Sequence, residues 1–337
     1  MGIIDNEIPA EKFKKRDFRQ DLTNRIVEML ESGVKPWTKP WDVGMVESGL
    51  PHNPISGTRY RGANRLQLMI AAATLGYADP RWLTIKQANS KGWKVRSGEK
   101  STMVEYWKWY DEVERENEDT GEPERVRVKL ESPRVFFAYV FNAAQIDGIP
   151  ELAVDNSVHW SPVEAAEDIL RNSRAEIFHL PKDRAAYNYG SDIIMLPQKT
   201  SFKSAENYYA TALHELCHWT GHPSRLNRTF GEKFGDENYA REELRAEIAS
   251  AFLMAEIGLN GTLENHASYI HSWVDRLKED KHEIFKAAAD AEKAADFVLR
   301  FQHGLTDKDG VVEVDENEEF EAILPPTPAF SAPRPSV

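Results

Sequence analysis

The stretch Thr211 to His222, TALHELCHWTGH, sets His214, Glu215 and His218 in the order H-E-x-x-H. A spacing of four puts both imidazoles on one helical face, one turn apart. Two nitrogens so placed reach one Zn2+ at about 2.0–2.1 Å. Glu215 is rotated about 100° round the helix from His214. It stands beside the metal rather than on it. There it can take a proton from a water that the metal activates and pass it to a leaving amine. The chemistry expected is zinc-dependent peptide hydrolysis with Glu215 as the catalytic base. Two surface histidines on an ordinary helix are the competing interpretation. Against it, Ala210, Leu213, Leu216 and Cys217 give the same helix an apolar side. Cys217 reads as a small core residue rather than a nucleophile.

A third ligand must come from elsewhere. Gly221 fits the glycine of H-E-x-x-H-x-x-G-x-x-H, but position 224 is serine, so that pattern fails. His222 remains open as a ligand. The stretch YAREELRAEIASAFL, residues 239–253, is a better source. Its Glu243-x-x-Ala246-Glu247 resembles the E-x-x-A-D signature of zincins whose third ligand is a helical glutamate. On that resemblance Glu243 is the ligand, and Glu247 is the carboxylate that orients a zinc-bound histidine. The reverse assignment stays open, as does a plain charged helix face pairing with Arg241 and Arg245. Zincins line peptide substrates along an edge strand over this helix, and SDIIMLP, residues 191–197, is the candidate strand. Tyr187 and Tyr189 are candidates to stabilise an oxyanion, against ordinary core or surface roles.

The front of the chain carries a different chemistry. Between Arg59 and Lys100 lie nine basic residues: Arg59, Arg61, Arg65, Arg81, Lys86, Lys91, Lys94, Arg96 and Lys100. Only Asp79 and Glu99 oppose them. Tyr60, Tyr77, Trp82 and Trp93 are interleaved; Lys35, Trp37, Lys39 and Trp41 precede, and Tyr106, Trp107 and Trp109 follow. Cations meet phosphates, and exposed rings stack bases, so the mixture suits single-stranded DNA. The DNA-contact candidates are Lys35, Trp37, Lys39, Trp41, Arg59, Tyr60, Arg61, Arg65, Trp82, Lys86, Lys94, Arg96 and Lys100. Core packing is the competing role for each aromatic.

The elements needed to position these groups are legible in part. Residues 17–32 form an amphipathic helix ended by Gly33, and 64–75 a second closed by Gly76. Proline keeps 35–41 from being helical. Thr84 and Gln87 make a capping box for a short helix. Residues 102–110 and 125–141 read as strands around an acidic loop, 111–124. Periodicity lapses over 146–160, and Ser161, Pro162 and Glu164 then open a helix. Strands are expected near 175–179 and 192–196, and helices from Ser204, over 237–257, and in two further stretches to about Gln302. The fold class is α+β. A front α+β domain spans 1–150, a mainly helical domain with a small sheet spans 151–303, and an acidic, proline-rich disordered tail spans 304–337.

The chain has 337 residues and a net charge of -13, which looks wrong for a nucleic-acid binder. Residues 111–124 and 306–321 each hold eight acids against one basic residue, so the rest of the chain is near neutral. One cysteine excludes a disulfide framework and fits a reducing cytoplasm. No run of eighteen apolar residues exists, so no membrane span is expected, and the first residues lack a signal-peptide core.

Longer stretches resemble a known family. EMLESGVKPWTKPW, NPISGTRYRGANRLQL, WLTIKQANSKGWKVRSGEKST and VFNAAQIDG in front are similar to the ArdC-type antirestriction proteins of conjugative plasmids. YYATALHELCHWTGHPSRLNR, FGDENYAREELRAEIASAFL and SDIIMLP behind are similar to the same family. The N-termini of plasmid TraC primases are related. The resemblance covers about residues 17–300. It implies an N-terminal domain that binds single-stranded DNA without sequence preference, then a zincin-like metallopeptidase domain. It implies protection of incoming plasmid DNA from host restriction endonucleases; the partners expected are single-stranded DNA and, for the peptidase site, a restriction endonuclease or another protein. By motif, His214, Glu215, His218 and Glu243 take the metal-site roles.

Overall fold

Asp17 opens the first helix, accepting from the Gln20 amide at 3.1 Å, and α1 runs Phe18–Glu31. Its Leu22, Ile26, Val27 and Leu30 are buried. Gly33 follows with φ +82°, a conformation that costs glycine nothing. The structure is a computed structural model that describes residues 17–37, 49–116, 122–152, 161–231, 237–259 and 267–302. Lys39 and Trp41, the segment 153–160 and the tail from 303 lie outside the described residues.

Helix α2 spans Gly62–Leu75 and ends on Gly76 in the left-handed region. It is apolar on two sides. Leu68, Ala71 and Ala72 face a sheet through Tyr60, Trp82, Val104, Tyr106 and Val140. Leu66, Met69 and Ile70 face the large core formed with the back half. The sheet is antiparallel, with β4 (Pro123–Asn142) between β1 (Trp82–Thr84) and β3 (Thr102–Glu116). An edge strand exposes a row of unpaired backbone groups. Here α2 covers part of that row. Asn64 bonds the Glu105 amide and carbonyl at 2.8 and 2.7 Å, and Gln67 donates to the Met103 carbonyl at 2.7 Å. The capping box expected at Thr84 and Gln87 is present and opens α3 (Ile85–Ser90). A short pair, β2 (Lys94–Val95) with β5 (Ile146–Asp147), completes the front.

The acidic stretch departs from expectation. Residues 111–116 and 123–124 are strand, extending a long hairpin rather than forming a loop. The reason is cross-strand charge pairing. Glu112 lies opposite Arg127, Glu114 opposite Arg125, and Arg115 opposite Glu124.

In the back half, Ser161 caps α4 (Pro162–Ser173) with proline in its first turn. Three strands follow: β6 (Glu176–Leu180), β7 (Ala186–Asn188) and β8 (Ile193–Pro197). Their order is β6-β8-β7, with β8 parallel to β6 and antiparallel to β7. The strand expected to guide substrate, within 191–197, is thus the central one, and β7 is the edge beside the next helix. That helix is α5 (Ala205–Trp219), followed by α6 (Glu237–Glu256), α7 (Ala267–Glu279) and α8 (Glu283–Gln302).

The change of element type near residue 150 does not divide the core. Leu22, Ile26, Leu30, Leu66 and Ile70 sit in one apolar cluster with Leu213, Leu244, Phe252, Trp273 and Phe301. Helix α1 packs on α7, and α2 on α8.

Candidate metal centre

Helix α5 begins on Ser204, whose hydroxyl accepts from the Asn207 amide at 3.3 Å. Three turns on, His214 and His218 point off one side with rings 4.8 Å apart and nearly perpendicular. Their Nε2 atoms lie 3.1 Å from each other. Glu243 arrives from α6, its two oxygens 3.7 Å from His214 Nε2 and 3.6 Å from His218 Nε2. Donors of a tetrahedral ion with bonds near 2.0–2.1 Å stand about 3.3 Å apart. The three separations bracket that value. Two nitrogens facing at that distance hold a proton or a cation between them rather than two lone pairs. All three side chains are buried, and among the described residues they are the one His/Cys/Asp/Glu group spaced to hold an ion. The donor set fits a divalent metal.

The electrostatics point the same way. Burial opposes charge on His218, yet Glu243, Glu242 and Glu215 outweigh it and push its pKa up to about 9. These carboxylates make the pocket favour positive charge.

A buttress holds His218. Its Nδ1 lies 3.3 Å from Glu242 Oε1, so the ring donates there and turns Nε2 toward His214 and Glu243. Arg228 grips Glu242 from the other side, with Nη2 to Oε1 at 2.6 Å and Nε to Oε2 at 3.0 Å. Burial alone would raise the Glu242 pKa, but Arg228 and His218 prevail and lower it. Arg228 also donates to the Cys217 carbonyl and Thr220 hydroxyl, both at 2.7 Å, which ties it to the end of α5. Gly221 makes room for this. A Cβ there would stand 2.5 Å from Phe230 and 2.9 Å from Arg228 Nη2. Glu242→Gln is expected to weaken metal affinity by about 10–100-fold, measured by competition with a chromophoric chelator.

Two expectations change. Glu247, expected to orient a histidine, instead accepts from Lys35 Nζ at 2.9 Å and Trp37 Nε1 at 3.3 Å. The carboxylate on His218 is Glu242, one position from the ligand rather than four. A sequence signal existed: Glu242-Glu243 is an acidic pair on a helix otherwise suited to burial. His222 turns to Ser224 Oγ at 2.7 Å and is not in the triad. Burial pushes the Cys217 thiol well up, which fits a core residue.

Glu215 is buried beside His214. Two tyrosines complete the surroundings. Tyr269 donates to the Tyr239 hydroxyl at 3.2 Å. Burial, then the Glu243 charge, raises the Tyr239 pKa. Burial likewise raises that of Tyr269, which also feels Glu243 and Glu215. Both therefore remain proton donors. Tyr187 donates to Asp192 at 2.8 Å, and Tyr189 packs tilted against Phe230 with centroids 4.6 Å apart, the Phe230 ring lying between these tyrosines and His218.

The proposed DNA contacts divide sharply. Trp37, Tyr60 and Trp82 are core side chains and present no face for a base. Lys35 is held by Glu247. Arg59 pairs with Glu256, Arg61 with Asp296 and with Glu292 at 3.4 Å, and buried Arg65 with Glu292 at 2.9 Å. These arginines join the front half to the back. Arg96 is exposed but meets Glu99 at 2.8 Å and Asp147 at 3.6 Å. Lys86, Lys91, Lys94 and Lys100 are exposed and form no ion pair among the described residues.

The two parts have known counterparts. Residues 16–136 match the family described as the N-terminal domain of anti-restriction factor ArdC, and residues 164–290 match zincin-like metallopeptidase. Together they define a zincin-like domain carried behind an ArdC N-terminal domain. The crystal structure of antirestriction protein ArdC from plasmid R388, metal-free, is 38% identical with a TM-score of 0.67, over 86% of this chain and 99% of that one. Its Mn(II)-bound form is 37% identical with a TM-score of 0.67, over 85% and 98%. DNA primase TraC of Escherichia coli is 52% identical over 296 residues, 86% of this chain but 27% of that protein. The chain thus spans about a quarter of that relative's length. It belongs to the ArdC family of antirestriction proteins. Among the described residues no helix is long and apolar enough to cross a membrane.

Proposed function

We propose that this protein protects incoming plasmid DNA from host restriction endonucleases, binding single-stranded DNA with its front half and hydrolysing peptide bonds at a zinc centre behind. The observation that carries the hydrolytic half is the convergence of His214, His218 and Glu243 with Glu215 alongside. A divalent ion held by His214, His218 and Glu243 would supply Lewis acidity toward the scissile carbonyl and the attacking water. Glu215 accepts one proton from that water and returns it to the amine nitrogen as the C–N bond breaks. Tyr269 or Tyr239 donates to the carbonyl oxygen as negative charge builds on it. Edge strand β7 pairs with the extended substrate backbone. Glu215→Gln is expected to retain metal and DNA while losing cleavage of a denatured-protein substrate by about 100-fold or more. Full antirestriction by that variant in conjugation would leave the metal as a structural staple, and cleavage at the wild-type rate would remove Glu215 from the reaction.

The DNA half rests on the exposed lysines. Each phosphate contact on single-stranded DNA adds about 0.7 to the slope of log affinity against log salt. Lys86→Ala, Lys94→Ala and Lys100→Ala combined should lower that slope by about 2, measured by fluorescence anisotropy. An unchanged slope would move the phosphate path elsewhere.

A further inference from the structure

The hairpin sheet has one face that the described elements cover only in part, α1 at one side and α3 at one end. Successive strand residues alternate between faces. Val104, Tyr106, Ala138 and Val140 point toward α2. Their neighbours point the other way, in cross-strand pairs Met103–Tyr139, Glu105–Phe137 and Trp107–Val135. On that outward face Trp107 is 40% exposed, Phe137 44% and Tyr139 49%. Leaving three large rings in water is unusual for a folded protein and marks an interaction surface.

The surroundings decide what the surface takes. The one carboxylate in these paired rows, Glu105, is neutralised by the bidentate guanidinium of Arg19. Arg19 also lies 5.2 Å over the Trp107 ring, and Phe18 packs 5.4 Å from Phe137 and 6.3 Å from Tyr139, so the start of α1 braces the three rings from one side. At the other end the same strand face continues through Phe141, opposite Leu83, to α3. That end carries exposed Lys86, Lys91, Lys94 and Lys100. A rank of rings whose one carboxylate is paired, ending in lysines that form no ion pair among the described residues, is complementary to a polyanion with exposed π-faces. Same-face neighbours on one strand are about 6.8 Å apart, which suits bases splayed from an extended strand rather than a stacked duplex.

We propose that Trp107, Phe137 and Tyr139 form the base-stacking platform of this protein, with Lys86, Lys94 and Lys100 taking the phosphates of the same single strand. The assignment rests on the single-stranded-DNA reading and locates it on side chains that do not carry charge. It replaces Trp37, Tyr60 and Trp82, whose rings are spent in the core.

The test uses the full chain and labelled oligothymidylate, by anisotropy across a salt series. Removing one stacked ring weakens binding about 5- to 100-fold. The triple variant Trp107→Ala, Phe137→Ala, Tyr139→Ala should lose about 100-fold or more while keeping the wild-type salt slope. Phe137→Tyr and Tyr139→Phe keep a ring and should bind as wild type. Metal content should be unchanged, because none of the three rings belongs to the triad, and a cooperative thermal transition confirms that the variant is folded even though contacts to Phe18 and Arg19 are lost. Wild-type affinity in a folded triple variant would overturn the platform. So would a triple variant that changes only the sedimentation mass, which would make the face a contact between copies of the chain. Failure of the wild-type protein to bind the oligonucleotide at low salt would instead sink the DNA reading itself.

Discussion

Glu243→Ala is expected to empty the metal centre. The donors available are two neutral imidazoles and one carboxylate, and Glu243 is the one anionic donor in the triad. Losing a carboxylate that merely orients a ligand already costs about 10–100-fold in affinity. Losing one of three direct donors should exceed that, by about 100-fold at least. Glu243→Ala is more informative than His214→Ala, because it also separates the two candidate carboxylates of α6. Glu247→Ala should keep stoichiometric metal, since its carboxylate is occupied by Lys35 and Trp37. The readouts are metal content after dialysis and the thermal midpoint with and without added ion. A ligand at a hundred times its Kd stabilises the folded state by about 2.7 kcal/mol. Wild type and Glu247→Ala should show that rise, and Glu243→Ala should not. Full metal content in Glu243→Ala together with loss in Glu247→Ala would reverse the assignment.

The sequence made the helices and caps of this fold readable, because those signals are local. The boxes at Thr84 and Ser161 and the glycine after α2 act through neighbouring residues. The H-E-x-x-H spacing is equally local, and the structure brings His214 and His218 together as the helical period requires. What escaped was partnership across the chain. Eight acids in fourteen residues look like a solvated loop until Arg125 and Arg127 are known to lie opposite. The period put Glu243 and Glu247 on one face, but only packing shows that Glu242 reaches His218 and Glu247 reaches back to Lys35. The run 191–197 reads as a strand, and nothing local says that β7 forms outside it. Arginines 59, 61 and 65 have the composition of a phosphate site. Their acidic partners, Glu256, Glu292 and Asp296, lie about two hundred residues away. Composition counts charges; it does not say which of them are already neutralised.

Arg65→Met is the stability experiment that follows from this. Arg65 is 2% exposed; its Nη2 meets Glu292 at 2.9 Å, its Nε donates to the Tyr60 carbonyl at 3.1 Å, and its guanidinium lies 5.0 Å over Phe252. Burial is the largest influence on both partners. It lowers the Arg65 pKa and raises that of Glu292, against their mutual attraction. The intact pair therefore contributes little beyond what a well-packed apolar pair would, whereas removing Arg65 leaves Glu292 with only the Gly62 amide at 3.0 Å and Arg61 at 3.4 Å. Breaking such a buried pair costs about 3–5 kcal/mol. Arg65→Met keeps most of the side-chain volume, so the loss reports the buried carboxylate deprived of its nearer guanidinium. Arg65→Met with Glu292→Leu should recover most of it. Acid should also recover it. The folded-state pKa of Glu292 lies above its unfolded value, so its protonated form is favoured by folding, and that contribution is lost as pH rises through the folded pKa. In Arg65→Met, with its attraction gone, the deficit should be greatest at neutral pH and shrink as pH falls toward the ordinary glutamate range. Urea unfolding across that range, with Arg65→Met/Glu292→Gln as the control, measures it. A deficit independent of pH, or equal in the control, would mean that the arginine acts through packing alone and that the two halves are held by their shared apolar core.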